Sequence, residues 1–124
     1  MRISGLKEME KGCMYSLHRV SKFLEPSLLL LLSKKTSYGY DLIERLKELG
    51  FHKESVDIGS VYRTLRKLEK EGFVRSAWQG NKGRRKKRNY TVTPQGLRLL
   101  AQWTERIKER KRALAKFVRI YQQA

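Results

Sequence analysis

Cysteine, histidine and proline are nearly absent from this 124-residue chain, which has one cysteine, two histidines and two prolines. Cys13 cannot close an intrachain disulfide, and with His18 and His52 it offers at most three soft ligands at irregular spacing, so no metal site is expected. Long apolar runs are missing too. The longest, Leu28 to Leu32, spans five residues, where a membrane-crossing helix needs about 20. The first residues carry charge every few positions, at Lys7, Glu8, Glu10 and Lys11, with no apolar segment before a small-residue cleavage site. Neither secretion nor membrane insertion is expected, which leaves the cytoplasm as the expected compartment. Acidic residues are scarce, 12 against 29 lysines and arginines, and the formal net charge is +17. That excess is beyond what solubility requires and points to an anionic partner, nucleic acid or an acidic membrane surface. With 40% apolar residues the chain can bury one modest core with an appendage. Enzymatic function is disfavoured and no cofactor is expected: the histidines are far apart, most acids are interleaved with cations, and no nucleophile motif or phosphate-cradling loop is present.

Residues 1–22 read as a polar arm interrupted by Gly5 and Gly12. Leu6, Met9, Cys13, Leu17, Val20 and Leu24 recur at intervals of three and four, so an amphipathic helix and a frayed terminus both stay open. Pro26 suits the first turn of a helix, and the leucines after it predict a central core helix. Ser37 is placed to cap a second helix through Leu42, Ile43, Leu46 and Leu49, ended by Gly50. Asp57 is the expected N-cap of a third helix that buries Ile58, Val61, Leu65 and Leu68 and stops at Gly72. The period then changes. Val74, Ser76 and Trp78 share one parity, as do Tyr90 and Val92, predicting two paired strands joined through Gly80 and Gly83. Thr93 and Pro94 read as N-cap and first residue of a last helix running to about Gln122.

Three short helices followed by a charged hairpin make a winged helix-turn-helix, mainly α, with a two-stranded wing and a long C-terminal helix. The expected division is an arm at 1–22, the winged domain at 23–93 and the helix at 94–124. On the third helix, with Val61, Leu65 and Leu68 turned inward, Arg63, Arg66, Lys67 and Lys70 face outward, with Ser60 and Tyr62 on the flanks. Arg63 is the candidate for reading a base, since a guanidinium binds guanine O6 and N7 through two bonds; Ser60 and Tyr62 are assigned to the backbone. No acid occurs between Glu71 and Glu105, and Lys82, Arg84, Arg85, Lys86, Lys87 and Arg88 crowd into seven residues. Such a loop is expected to straddle phosphates or enter a minor groove, with Trp78 and Tyr90 packing inside the hairpin. On the last helix Leu100, Trp103, Ile107, Leu114, Phe117 and Tyr121 form an apolar stripe, broken at Arg110, that a small domain cannot cover; a second copy of the chain is the simplest partner.

The segments FLEPSLLLLL, SYGYDLIERLKELG, VYRTLRKLEKEGFV and YTVTPQG, in this order, closely resemble the PadR family of bacterial and archaeal transcriptional regulators. The resemblance runs from about Phe23 to Tyr121. It implies a homodimer that binds inverted-repeat operators in double-stranded DNA, most often as a repressor relieved by a small molecule. It also implies that Ser60, Tyr62, Arg63 and Lys67 approach DNA and that residues 94–121 form the dimer helix. Effector pockets of the family use aromatic side chains near the dimer interface, which singles out Trp103, although ordinary dimer packing is the plainer role for it. Ile58 stands where the family commonly has proline, and the wing is unusually cationic, so stronger nonspecific affinity is expected. The competing expectation is a nonspecific or RNA-binding winged-helix protein.

Overall fold

The computed structural model describes residues 20–49, 57–80 and 87–123, in the order α1 (Val20–Lys34), β1 (Ser37–Tyr38), α2 (Gly39–Glu48), α3 (Ile58–Lys70), β2 (Val74–Gln79), β3 (Lys87–Val92) and α4 (Pro94–Gln122). The expectations for the arm up to residue 19, for Cys13, His18, His52 and Gly50, and for Lys82, Gly83, Arg84, Arg85 and Lys86 fall outside the described residues. The winged helix-turn-helix order holds: three helices, a hairpin and one long closing helix.

The core sits where α1, α2 and α3 meet the inner face of the sheet. Leu28 and Leu29 of α1, Leu42 and Leu46 of α2, and Val61, Leu65 and Leu68 of α3 are all fully buried, and Val74 and Tyr90 close the cluster from the strands. Each such aliphatic side chain contributes about 1.5–3 kcal/mol relative to exposure, enough for the group to fix how the three helices pack. Arg45 ties the C-terminal end of α1 to α2: its Nη2 donates to the Leu31 carbonyl at 2.7 Å and its Nη1 to the Lys35 carbonyl at 3.3 Å. The Leu31 carbonyl also accepts the Lys35 amide at 3.1 Å, so Arg45 adds a second bond at the end of α1.

Two expected caps are present. Asp57 accepts from the Gly59 amide at 3.2 Å, and Thr93 accepts from the Gly96 amide at 3.1 Å, with Pro94 at the first helical position. At the far end of α3, Gly72 takes a φ of +86°, a left-handed value that a side chain resists. The Phe73 amide then reaches back to the Leu68 carbonyl at 2.8 Å and the Gly72 amide to the Glu69 carbonyl at 3.0 Å, the paired bonds of a Schellman ending. Thr93 joins this turn to α4, because its hydroxyl also donates to the Gly72 carbonyl at 2.7 Å.

Five local expectations are corrected. Pro26 lies inside α1, six residues past its start, and not in the first turn. A proline in a helix interior costs about 3 kcal/mol, but Leu24, 1% exposed, places a further leucine in the core only if the helix extends upstream. Ser37 does not cap α2; Tyr38 holds the N-cap position without a side-chain bond, and Ser37 pairs with Tyr90 as strand β1 while its hydroxyl takes a bond from Arg45. Among the described residues the predicted β2–β3 hairpin is therefore extended by β1 to a three-stranded sheet in the order β1-β3-β2. Ile58 is 57% exposed, because it stands at the first position of α3, beyond the cover of the other described elements. Trp78 is 61% exposed: it shares the inward parity of Val74, but the hairpin has by then run past the helical body.

Candidate nucleic-acid interface

Val61, Leu65 and Leu68 are wholly buried, and the 100° step of the helix then turns Arg63, Arg66, Lys67 and Lys70 outward, where all four are exposed. The cationic face predicted for α3 is thus present. Its details were not foreseen. Ser60 donates its hydroxyl to Asp57 Oδ2 at 2.7 Å, and Arg63 Nη2 reaches Ser60 Oγ at 3.0 Å and Asp57 Oδ2 at 3.4 Å. The cap residue therefore gathers the two predicted contact residues into one network at the start of α3. The Ser60 hydroxyl is the leading cause that holds the Asp57 carboxyl below its ordinary value, with the Gly59 amide and the Arg63 charge adding to it.

Tyr62 is half-buried and lies against Gly39 at the start of α2, where the absence of a side chain leaves room for the ring. Lys67 meets the Glu25 carboxylate of α1 at 3.3 Å. Among the described residues Arg66 and Lys70 have no such partner.

The hairpin presents its cations on two faces. Successive strand residues alternate, so Lys87 and Arg88 point to opposite sides. Lys87 donates to the Tyr40 hydroxyl at 3.2 Å and stands 5.6 Å from the centre of the Tyr38 ring and 5.1 Å from that of Tyr40, two rings stacked 6.2 Å apart. The Tyr40 hydroxyl is the main cause that raises the Lys87 ammonium above its ordinary value. Tyr38 in turn donates to Gln79 at 3.0 Å across the sheet. Arg88 faces the other way, with its guanidinium 5.0 Å above the Trp78 ring. Sequence reasoning missed both aromatic arrangements. Tyr38 and Lys87 are brought together only by β1, whose two residues are too few to show a period. The Asp57 network did carry a signal, an acid three residues before a serine and six before an arginine.

On α4, Leu100 and Trp103 are half-buried, and Leu100 packs with Leu99 against the domain's own core. Ile107, Leu114, Phe117 and Tyr121 are exposed, with Phe117 at 72% and Tyr121 at 80%. From Thr104 onward every described residue of this helix is exposed. No group of three or more histidines, cysteines or acids suited to a metal occurs among the described residues, and no described helix is long and apolar enough to cross a membrane.

Residues 28–102 match the Transcriptional regulator PadR-like family. A transcriptional regulator from Clostridium thermocellum superposes with a TM-score of 0.71 at 24% identity, covering 82% of this chain and 95% of its own. A PadR-like transcriptional regulator from Bacillus cereus gives 0.62 at 26% identity, over 86% of this chain and 98% of its own. Bacillus subtilis PadR, solved in complex with operator DNA, gives 0.59 at 31% identity, over 65% of this chain and 46% of its own. No curated protein matches the chain.

Proposed function

The chain belongs to the PadR-like family of transcriptional regulators, and on that premise we propose that it is a sequence-specific, homodimeric repressor that binds an inverted-repeat operator. The observation that carries this reading is the outward cationic face of α3, Arg63, Arg66, Lys67 and Lys70, set beside a hairpin that adds Lys87 and Arg88. In a winged helix such a helix enters the major groove while the wing follows the backbone beside it. Arg63 is assigned to base reading, Ser60, Tyr62 and Lys67 to the backbone, and the loop cations Lys82, Arg84, Arg85 and Lys86 to phosphates. That the Bacillus subtilis relative was solved in complex with operator DNA supports duplex DNA as the partner.

The uncovered stripe on α4 supports the dimer, with residues 94–124 as its helix and 23–93 as the DNA-binding unit. Two α3 helices related by a two-fold axis would meet half-sites about 34 Å apart. Trp103, half-buried at the junction of domain and stripe, is assigned first to the dimer seam and second to a small apolar effector that releases the operator. The net charge of +17 favours a second reading, nonspecific binding of any polyphosphate.

Selection of bound fragments from random duplex DNA at about 0.15 M salt separates the two, since that salt suppresses weak phosphate-only binding. Enrichment of a two-fold symmetric motif is the expected result. Binding without any enrichment would replace the repressor with the nonspecific reading.

A further inference from the structure

Trp78 of β2 and Arg88 of β3 are direct register partners, so both side chains stand on the same face of the hairpin. That face is the one toward α3. On it, one step along β2, Ser76 donates to Glu69 Oε2 of α3 at 2.6 Å, and its own partner Tyr90 is buried in the core. The pair therefore sits at the mouth of the cleft between α3 and the wing. Arg66 is exposed on α3 one turn before Glu69, on the same side of the helix, and so flanks that cleft.

Trp78 is large, apolar and 61% exposed, a placement that burial alone does not explain. Its ring lies under the Arg88 guanidinium at 5.0 Å, within cation–π range. Among the described residues the buried Arg88 Nε has no hydrogen-bond partner and no carboxylate pairs with the side chain. Arg88 is thus held by an aromatic face and not by an anion, which leaves its positive charge unspent. When a helix occupies a major groove and a wing the adjoining minor groove, one phosphate strand runs between them.

We propose that Trp78 is a positioning residue that holds Arg88 in the cleft between α3 and the wing, so that Arg88 and Arg66 grip from two sides the phosphate strand passing between them. The proposal rests on the duplex-binding reading above and adds to it a specific phosphate site with an aromatic support. A lysine in place of Arg88 would carry the charge but not the planar fork that both stacks on a ring and spans two phosphate oxygens.

The test is the salt dependence of binding to a short mixed-sequence duplex, read by fluorescence anisotropy from about 0.05 to 0.2 M salt. Arg88→Ala should reduce the slope of log affinity against log salt by about 0.9, the loss of one phosphate contact. Trp78→Ala should reduce it by the same amount, the double variant should lose no more than either single one, and Trp78→Phe should keep the wild-type slope. A Trp78→Ala protein with the wild-type slope, losses that add in the double variant, or failure of Trp78→Phe to keep the slope would overturn the positioning role. Thermal melts of the variants separate this from damage to the hairpin, because general loosening does not vanish in the Arg88→Ala background. If the wild-type chain fails to bind duplex, the duplex-binding reading falls and this site with it; if it binds and Trp78→Ala is silent, only the site falls.

Discussion

Glu25 of α1 holds Lys67 of α3 at 3.3 Å, so one cation of the face assigned to DNA is engaged by the domain's own core helix. The Glu25 side chain is 23% exposed and that of Lys67 is 62% exposed, which places the pair at the edge of the domain, half in solvent. Pairs of this kind contribute at most about 1 kcal/mol and weaken with salt. Glu25→Gln is expected to free Lys67 and tighten duplex binding by up to about fivefold at low salt, with the gain fading as salt rises. Anisotropy titrations of both proteins check this; equal affinities at every salt concentration would show that Lys67 stands clear of the DNA.

The exposed stripe on α4 predicts a change of oligomeric state. Phe117, 72% exposed in the single chain, has no role in the domain's own core. Phe117→Asp is expected to leave the winged domain folded and to yield a monomer in sedimentation at concentrations where the wild type is a dimer. Operator affinity should fall with it, since two half-sites would no longer be bound as one unit. A dimeric Phe117→Asp protein would move the seam elsewhere.

Gly96 predicts a stability effect. A methyl group there would fall inside contact distance of the Phe73 carbonyl oxygen and 2.7 Å from Val92 Cγ2. Alanine in place of glycine favours a helix by about 1 kcal/mol, but a backbone carbonyl cannot rotate away as a side chain can. Gly96→Ala is therefore expected to destabilise the protein by about 1–3 kcal/mol net, measured by chemical denaturation. A variant as stable as the wild type would mean that α4 can pivot away from the turn after α3.

Tyr90 predicts an alkaline dependence. Burial, as the main cause, pushes its phenol above the ordinary 10.0, so the folded chain holds this proton more tightly than the unfolded one. The resulting stabilisation is fully present below pH 10 and is lost as pH rises through the higher folded value. Tyr90→Phe has no such proton to lose. Its stability should fall less steeply than that of the wild type above pH 10, as followed by denaturant unfolding at stepped pH. Parallel curves for the two proteins would remove Tyr90 as the cause.

Much of the fold was legible because it is written in local periods and end signals. The three-four spacing of Val61, Leu65 and Leu68 places their helix and its buried side, and Asp57, Gly72, Thr93 and Pro94 mark ends that the structure bears out. The exposure of Arg63, Arg66, Lys67 and Lys70 follows from the same spacing. Pro26 and Ser37 misled for one shared reason. Each carries a real local preference, and each is overridden by a tertiary gain: the burial of Leu24 upstream of Pro26, and the pairing of Ser37 with Tyr90 and its bond from Arg45.

By itself the sequence determined the order of the helices and the hairpin, the buried and exposed sides of the third helix and the large excess of positive charge, because these depend on neighbours a few residues away and on composition. The tertiary structure decided which partners the cations meet. Lys67 is held by Glu25, Arg63 by Asp57, Lys87 by Tyr40 and Arg88 by Trp78. Of these, all but Arg63 and Arg88 meet partners from distant elements, and even Trp78 reaches Arg88 only through the register of the hairpin. Close contact of that kind is a property of packing, and a one-dimensional pattern does not encode the distances that create it.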